Sequence, residues 1–257
     1  MIANYHTHTH RCNHAIGRER DYIENALSGS MEMLGFSDHT PYIFSGGYYS
    51  SFRMRPVQLA GYVQTIEELR REYRGRIELL TGLETEYYPK HFSELLAFLR
   101  DFPIDYLILG QHFIENEYDA PYCGLVTGEK SVVLRYCSQS MEAMNTGVFT
   151  YFAHPDLIHY RGDWKFYQEA VRPMCAEAKR CGLPLEINLL GIREGRHYPN
   201  RYFWEVAAEE GCEVILGCDA HSPQSVYVPE AEKKALALAK EFGLKVLEKA
   251  ELRSIYK

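Results

Sequence analysis

His6 and His8 stand two residues apart near the start of the chain, with His14 close behind. The same residue types then recur to the far end as Asp38 and His39, Glu84 and Glu86, His112, His154, Glu186 and Asn188, and finally Asp219 and His221. Imidazole and carboxylate together suit zinc, iron and manganese, the carboxylates favouring the harder ions. Side chains on an extended segment repeat every two residues, so His6-x-His8 and Asp219-x-His221 each offer two ligands on one face. A carboxylate such as Glu84 can bridge two cations, the paired arrangement that clamps the attacking and leaving oxygens of an in-line displacement. The chemistry indicated is metal-assisted hydrolysis.

Residues so far apart meet only if the fold gathers them, and each group follows or ends a short apolar run. The runs Ile2–Tyr5, Met33–Ser37, Ile77–Leu83, Tyr106–Leu109, Val148–Phe152, Leu185–Asn188 and Val214–Gly217 are continuous rather than alternating. That pattern fits strands covered on both faces in a parallel sheet. Between them lie helical patterns at Arg20–Leu27, Pro56–Tyr73, His91–Arg100, Ser131–Met144, Phe166–Cys181, Arg201–Glu210 and Glu230–Phe242. Gly182 and Gly211 fall just past two of these, where a left-handed cap is expected. Alternating strands and helices predict an α/β fold with a parallel sheet, either open and doubly wound or closed as a barrel. The carboxyl ends of such strands share one face, where sites form. No linker composition divides the chain, so residues 1–257 are expected to form one domain. The long segments Pro41–Arg55 and Glu115–Lys130 follow strand ends, as functional loops do.

The net charge of -7 argues against a broad nucleic-acid-binding face. It does not argue against a phosphorylated substrate, because bound cations are the largest local charges in such a site. No apolar run approaches the roughly 18 residues of a membrane helix, and the opening residues carry no signal-peptide pattern. Seven scattered cysteines without C-x-x-C spacing point to neither a disulfide framework nor a zinc ribbon. A cytoplasmic protein is expected.

Seven short segments together carry a family resemblance: His6-Thr7-His8-Thr9, Ser37-Asp38-His39, Gly82-Leu83-Glu84, Gly110-Gln111-His112, Ala153-His154-Pro155, Glu186-Ile187-Asn188 and Cys218-Asp219-Ala220-His221-Ser222. In this order they resemble the PHP (polymerase and histidinol phosphatase) family, and within it the stand-alone histidinol-phosphatase-type members. The resemblance implies a distorted seven-stranded (β/α) TIM-like barrel holding two to three divalent ions of zinc, iron or manganese. His6, His8, Glu84 and Asp219 would bind one ion, Glu84, His112 and His154 a second, and His14, His39 and His221 a third. It also implies hydrolysis of a small phosphate monoester, L-histidinol phosphate, with Glu84, His112, Asp219 and His221 at the catalytic centre. The nucleophile would be water activated on the ions, whose pKa falls from 15.7 to about 7.

Around this set, Asp38 either caps the segment after its strand or orients a ligand imidazole. Glu86 is read as a solvated rim residue, while Glu186 and Asn188 are read as hydrogen-bonding partners of ligands. Arg161, Arg193 and Arg196, with His197, lie in loops after the fifth and sixth strands and are the candidates for binding substrate phosphate. The aromatic stretch from Tyr42 to Phe52 and Arg53 reads equally as a lid or as a packed loop. A phosphodiesterase or exonuclease-type activity on nucleotides is the competing reading, since the same ions serve diesters. A metal-dependent amidohydrolase would want a bridging lysine after a middle strand, and none follows Leu83, Leu109 or Phe152.

Overall fold

The structure is a computed structural model and describes residues 1–256. Eight strands form one sheet in chain order: β1 (Ala3–Asn4), β2 (Met33–His39), β3 (Glu78–Thr85), β4 (Tyr106–Leu109), β5 (Phe149–Phe152), β6 (Leu185–Asn188), β7 (Glu213–Gly217) and β8 (Lys245–Val246). Every neighbouring pair is parallel. The helices are α1 (Glu19–Ser28), α2 (Leu59–Glu72), α3 (Phe92–Leu99), α4 (Lys130–Asn145), α5 (Trp164–Arg180), α6 (Leu189–Glu194), α7 (Arg201–Glu209) and α8 (Pro229–Phe242). The α/β class and the parallel, TIM-like curl agree with the sequence. The strand number does not: there are eight rather than seven, because β8 is a two-residue strand beside β7 whose apolar run is too short to read.

Two apolar layers hold the sheet. The outer one packs the helices onto it and includes Leu34, Phe36, Leu107, Phe152 and Trp204. The inner one fills the curl with Tyr5, Met33, Leu80, Tyr106, Ile108, Tyr151 and Ile215. Continuous apolar strands are what two covered faces demand. Tyr106 uses its hydroxyl inside this layer, donating to the Tyr5 carbonyl at 2.6 Å. Helix ends follow local chemistry: the Asp163 carboxylate caps α5 by accepting from the Lys165 amide at 3.0 Å. Gly182 and Gly211 take φ of 57° and 69° behind α5 and α7, as their positions predicted.

The first strand and the seventh approach each other at the carboxyl face. The chain just past β1 and the chain just past β7 pair through a parallel bridge between Thr7 and Ala220. His8 N donates to Ala220 O at 2.9 Å, and Ala220 N to His6 O at 3.2 Å. His6, His8, Asp219 and His221 therefore meet across one seam. The segment 41–55 is a packed loop with an exposed tip, since Tyr42, Phe44, Arg53 and Met54 are buried and Tyr48 and Tyr49 are not. No helix among the described residues is long and apolar enough to cross a membrane.

Candidate metal centre

Glu84, at the end of β3, is the hub of the strand-end cluster. Its Oε1 lies 2.8 Å from His154 Nε2 and 3.5 Å from both His6 Nε2 and His112 Nε2. Its Oε2 lies 3.1 Å from His39 Nδ1 and 3.4 Å from His8 Nε2. Asp219 Oδ1 adds contacts of 3.3 Å to His8 Nε2 and His221 Nδ1 and 3.6 Å to His6 Nε2. His14, after the first strand's turn, approaches from the open side and stacks on His221 with centroids 4.6 Å apart. The structure thus brings together all nine residues that the sequence nominated for metal.

Groups next to these ligands fix their rings. Glu186 accepts from His6 Nδ1 at 2.9 Å, which leaves Nε2 toward Glu84 and Asp219. Asn188 donates to Glu186 Oε1 at 2.7 Å and to Asp219 Oδ2 at 3.1 Å, while its own oxygen caps α6. These are the hydrogen-bonding roles expected of Glu186 and Asn188. Asp38 accepts from the His39 amide at 2.9 Å and from Thr9 N at 3.3 Å, and its Oδ1 sits 3.6 Å from His8 Nδ1. Of its two anticipated roles, the backbone-capping one is the one these hydrogen bonds make. Glu86 differs from expectation: it is completely buried, not solvated, and accepts from His112 Nδ1 at 2.8 Å. Spacing alone could not reveal this, because the cation that makes Glu86's burial tolerable, Arg53, comes from a distant loop.

The backbone is also constrained here. His154 and Asp219 are non-glycine residues with φ of 32° and 46°, a region that costs of order 1–3 kcal/mol per residue. Two glycines make room for the carboxylates. A Cβ on Gly110 would stand 2.2 Å from Glu84 Oε1, and one on Gly217 would stand 2.1 Å from Glu186 Oε2.

Electrostatically the cluster is built around ionised acids. Burial would raise Glu84, yet His112, His6 and His39 hold it well below the usual carboxylate range. Asp219 is likewise held well down against burial by His6, His8 and His221. Burial pulls His6 down, but Glu186, Asp219 and Glu84 outweigh it and raise it well above an ordinary imidazole. For His39 burial prevails and its pKa falls well below the usual value.

The donor set fits divalent cations. His6 Nε2, both ring nitrogens of His8, His39 Nδ1, His154 Nδ1 and His221 Nε2 are buried without a hydrogen-bond partner, and an unmet buried polar atom costs about 1–3 kcal/mol. Ligand atoms converge within 4.8 Å of one another in the sets His6/His8/Asp219, His6/Glu84/His154, His8/His39/Glu84 and His14/His39/His221. Neutral imidazole and ionised carboxylate are the forms that bind metal.

A cavity of about 470 Å³ opens above the cluster, walled by Phe52, Phe113, Tyr122, Leu190, Tyr198 and Arg196 among others. Of the four nominated phosphate contacts, Arg196 alone reaches this wall. Arg193 instead donates to the Cys218 carbonyl at 3.0 Å. His197 stacks on His159 at 3.9 Å and bonds the Leu157 carbonyl at 2.7 Å, and Arg161 is exposed. Glu194, which pairs with Arg196, also lines the cavity and carried no sequence signal.

A parallel α/β sheet with histidines and carboxylates gathered at its carboxyl end defines a metal-hydrolase type of site. The PHP domain family matches residues 4–189, and the chain belongs to that family. Asp219 and His221 lie beyond the matched span. Among relatives, the probable histidinol-phosphatase of Deinococcus radiodurans is 29% identical over 237 residues, covering 88% of each chain. The histidinol-phosphatase of Bacillus subtilis is 26% identical over 258 residues, covering 88% of this chain and 96% of its own. The fold resembles a histidinol phosphate phosphatase of Lactococcus lactis, solved with zinc, L-histidinol and phosphate. The TM-score is 0.76 at 21% identity, with 99% and 97% of the two chains covered.

Gly217→Ala is expected to push the Glu186 carboxylate off His6 while leaving the fold in place. Ligand orientation by such a carboxylate is worth ~10–100-fold in metal affinity. A chelator-competition titration would measure the loss, and unchanged affinity would remove Glu186 from this role.

Proposed function

We propose that this protein is a metal-dependent phosphatase of small phosphate monoesters, with L-histidinol phosphate as substrate, working in the cytoplasm as one domain. The observation that carries the reading is Glu84, a single buried carboxylate within 3.5 Å of five imidazoles from four different segments. The names of the relatives supply the substrate. His6, His8, Glu84 and Asp219 would hold one ion, Glu84, His112 and His154 a second, and His14, His39 and His221 a third. When bound, zinc, iron or manganese supplies Lewis-acid polarisation of the phosphoryl group and a water acidified to about neutral pKa.

The chain's own residues do the rest. Glu186 and Glu86 orient His6 and His112 through their Nδ1 protons. Arg196, held by the Tyr198 hydroxyl at 3.0 Å and by Glu194, keeps a positive charge at the cavity wall for the phosphoryl oxygens. The aromatic walls give the imidazole ring of the leaving alcohol a surface to lie against. A cavity of about 470 Å³ suits a small ester rather than a polymer. Phosphate release from histidinol phosphate, p-nitrophenyl phosphate and a dinucleotide, measured on the zinc-loaded protein, tests the assignment. Histidinol phosphate should lead by at least ~10-fold in kcat/KM, about 1.4 kcal/mol of transition-state preference. Comparable rates on all three would sink the substrate while leaving the hydrolase.

A further inference from the structure

The guanidinium of Arg53 sits where the catalytic site and the loops around it meet. Its side chain is 1% exposed and pairs with two carboxylates that are equally buried. Arg53 Nη2 lies 3.2 Å from Glu86 Oε2, the carboxylate whose other oxygen receives the His112 Nδ1 proton. Toward the opposite side, Arg53 Nε donates to Glu117 Oε1 at 3.0 Å and Nη2 pairs with Glu117 Oε2. Nη1 closes the set on the Thr40 carbonyl at 2.5 Å. Glu117 belongs to the long segment after β4 and is further held by Ser50 and, at 3.0 Å, by the Tyr88 hydroxyl.

The same fork bears on the cavity wall. Phe52, the preceding residue, has its ring 4.4 Å from the Arg53 guanidinium carbon. It stands edge-on to His39 at 5.3 Å and stacks on Phe113 at 5.7 Å. Both phenylalanines line the cavity. A planar guanidinium presents its donors to two carboxylates and a carbonyl in a fixed, preorganised fork, a geometry a rotating ammonium lacks.

We propose that Arg53 is a positioning residue that sets the His112 ligand, through Glu86, and the Phe52–Phe113 wall, through Glu117, as one unit. It touches neither ion nor substrate. The inference rests on His112 being a metal ligand, as proposed above.

The three residues separate experimentally. Glu86→Gln should weaken zinc binding by ~10–100-fold and leave KM near the wild-type value. Glu117→Gln should do the reverse, raising KM several-fold with zinc affinity intact. Arg53→Met should show both defects, and Arg53→Lys should recover part of each. Zinc affinity by chelator competition needs no substrate, so it reports on Arg53 even where histidinol phosphate proves a poor ester. KM is then read on p-nitrophenyl phosphate. Absent turnover of histidinol phosphate by the unsubstituted protein, with zinc affinity intact, would count against the substrate and not against Arg53. Wild-type zinc affinity and KM in Arg53→Met would overturn the proposal. Where that variant does not fold, wild-type values for both quantities in Arg53→Lys overturn it equally, as would a loss of zinc in Glu117→Gln.

Discussion

Glu84→Gln is expected to abolish turnover and strip bound metal. The substitution keeps the shape of the side chain but removes the one charge shared by His6, His8, His39, His112 and His154. An amide offers one acceptor oxygen where the carboxylate offers two anionic ones, so it cannot bridge cations. Several kcal/mol of charge stabilisation is at stake, and each 1.4 kcal/mol or so is tenfold, so phosphate release should fall by ~10³-fold or more. Elemental analysis should find less than half of the wild-type metal content. Full metal content with near-normal activity would contradict the hub role of Glu84.

Gly110→Ala should reach a similar end by steric means. Its new methyl would stand 2.2 Å from Glu84 Oε1 and 2.6 Å from Cδ. The far end of a flexible side chain usually yields to such an intrusion, but this carboxylate is 1% exposed and surrounded by imidazoles. Either Glu84 leaves its ligands or β3 and β4 part at their carboxyl ends. Overpacking of this kind costs about 1–3 kcal/mol, so a thermal melt should show modest destabilisation. Activity should fall far more, by ~10²-fold or beyond, in line with the cost of a catalytic group displaced by about 1 Å. A variant that melts earlier yet retains kcat and metal would show that Gly110 matters for packing alone.

Much of the fold was legible because both faces of its strands are covered. Continuous apolar runs marked β2 to β7 to within a few residues, and the metal-type side chains just past them marked the face where the site forms. Elements with weak local signals escaped. β8 is two residues long, and α6 begins at Leu189 directly after β6, with Asn188 serving both as strand end and as cap. Residues whose roles depend on a remote partner were the hardest to read. Glu86 looked like a solvated rim group because Arg53, whose charge makes its burial tolerable, is 33 positions away. Arg193 looked like a phosphate contact, yet the backbone carbonyl that occupies it belongs to Cys218. Glu194 had nothing beside it in sequence to suggest that it lines the cavity.

The Thr7–Ala220 bridge joins the opening of the chain to its last third. A polypeptide emerging from the ribosome therefore carries His6 and His8 long before Asp219 exists to complete their set. Ions held as proposed would fasten the segment after β1 to the segment after β7 like a clasp, favouring the folded form by RT ln(1 + [L]/Kd). Metal supply would then bear on two things at once: the proposed ester cleavage, and how firmly the segments after β1 and β7 stay together.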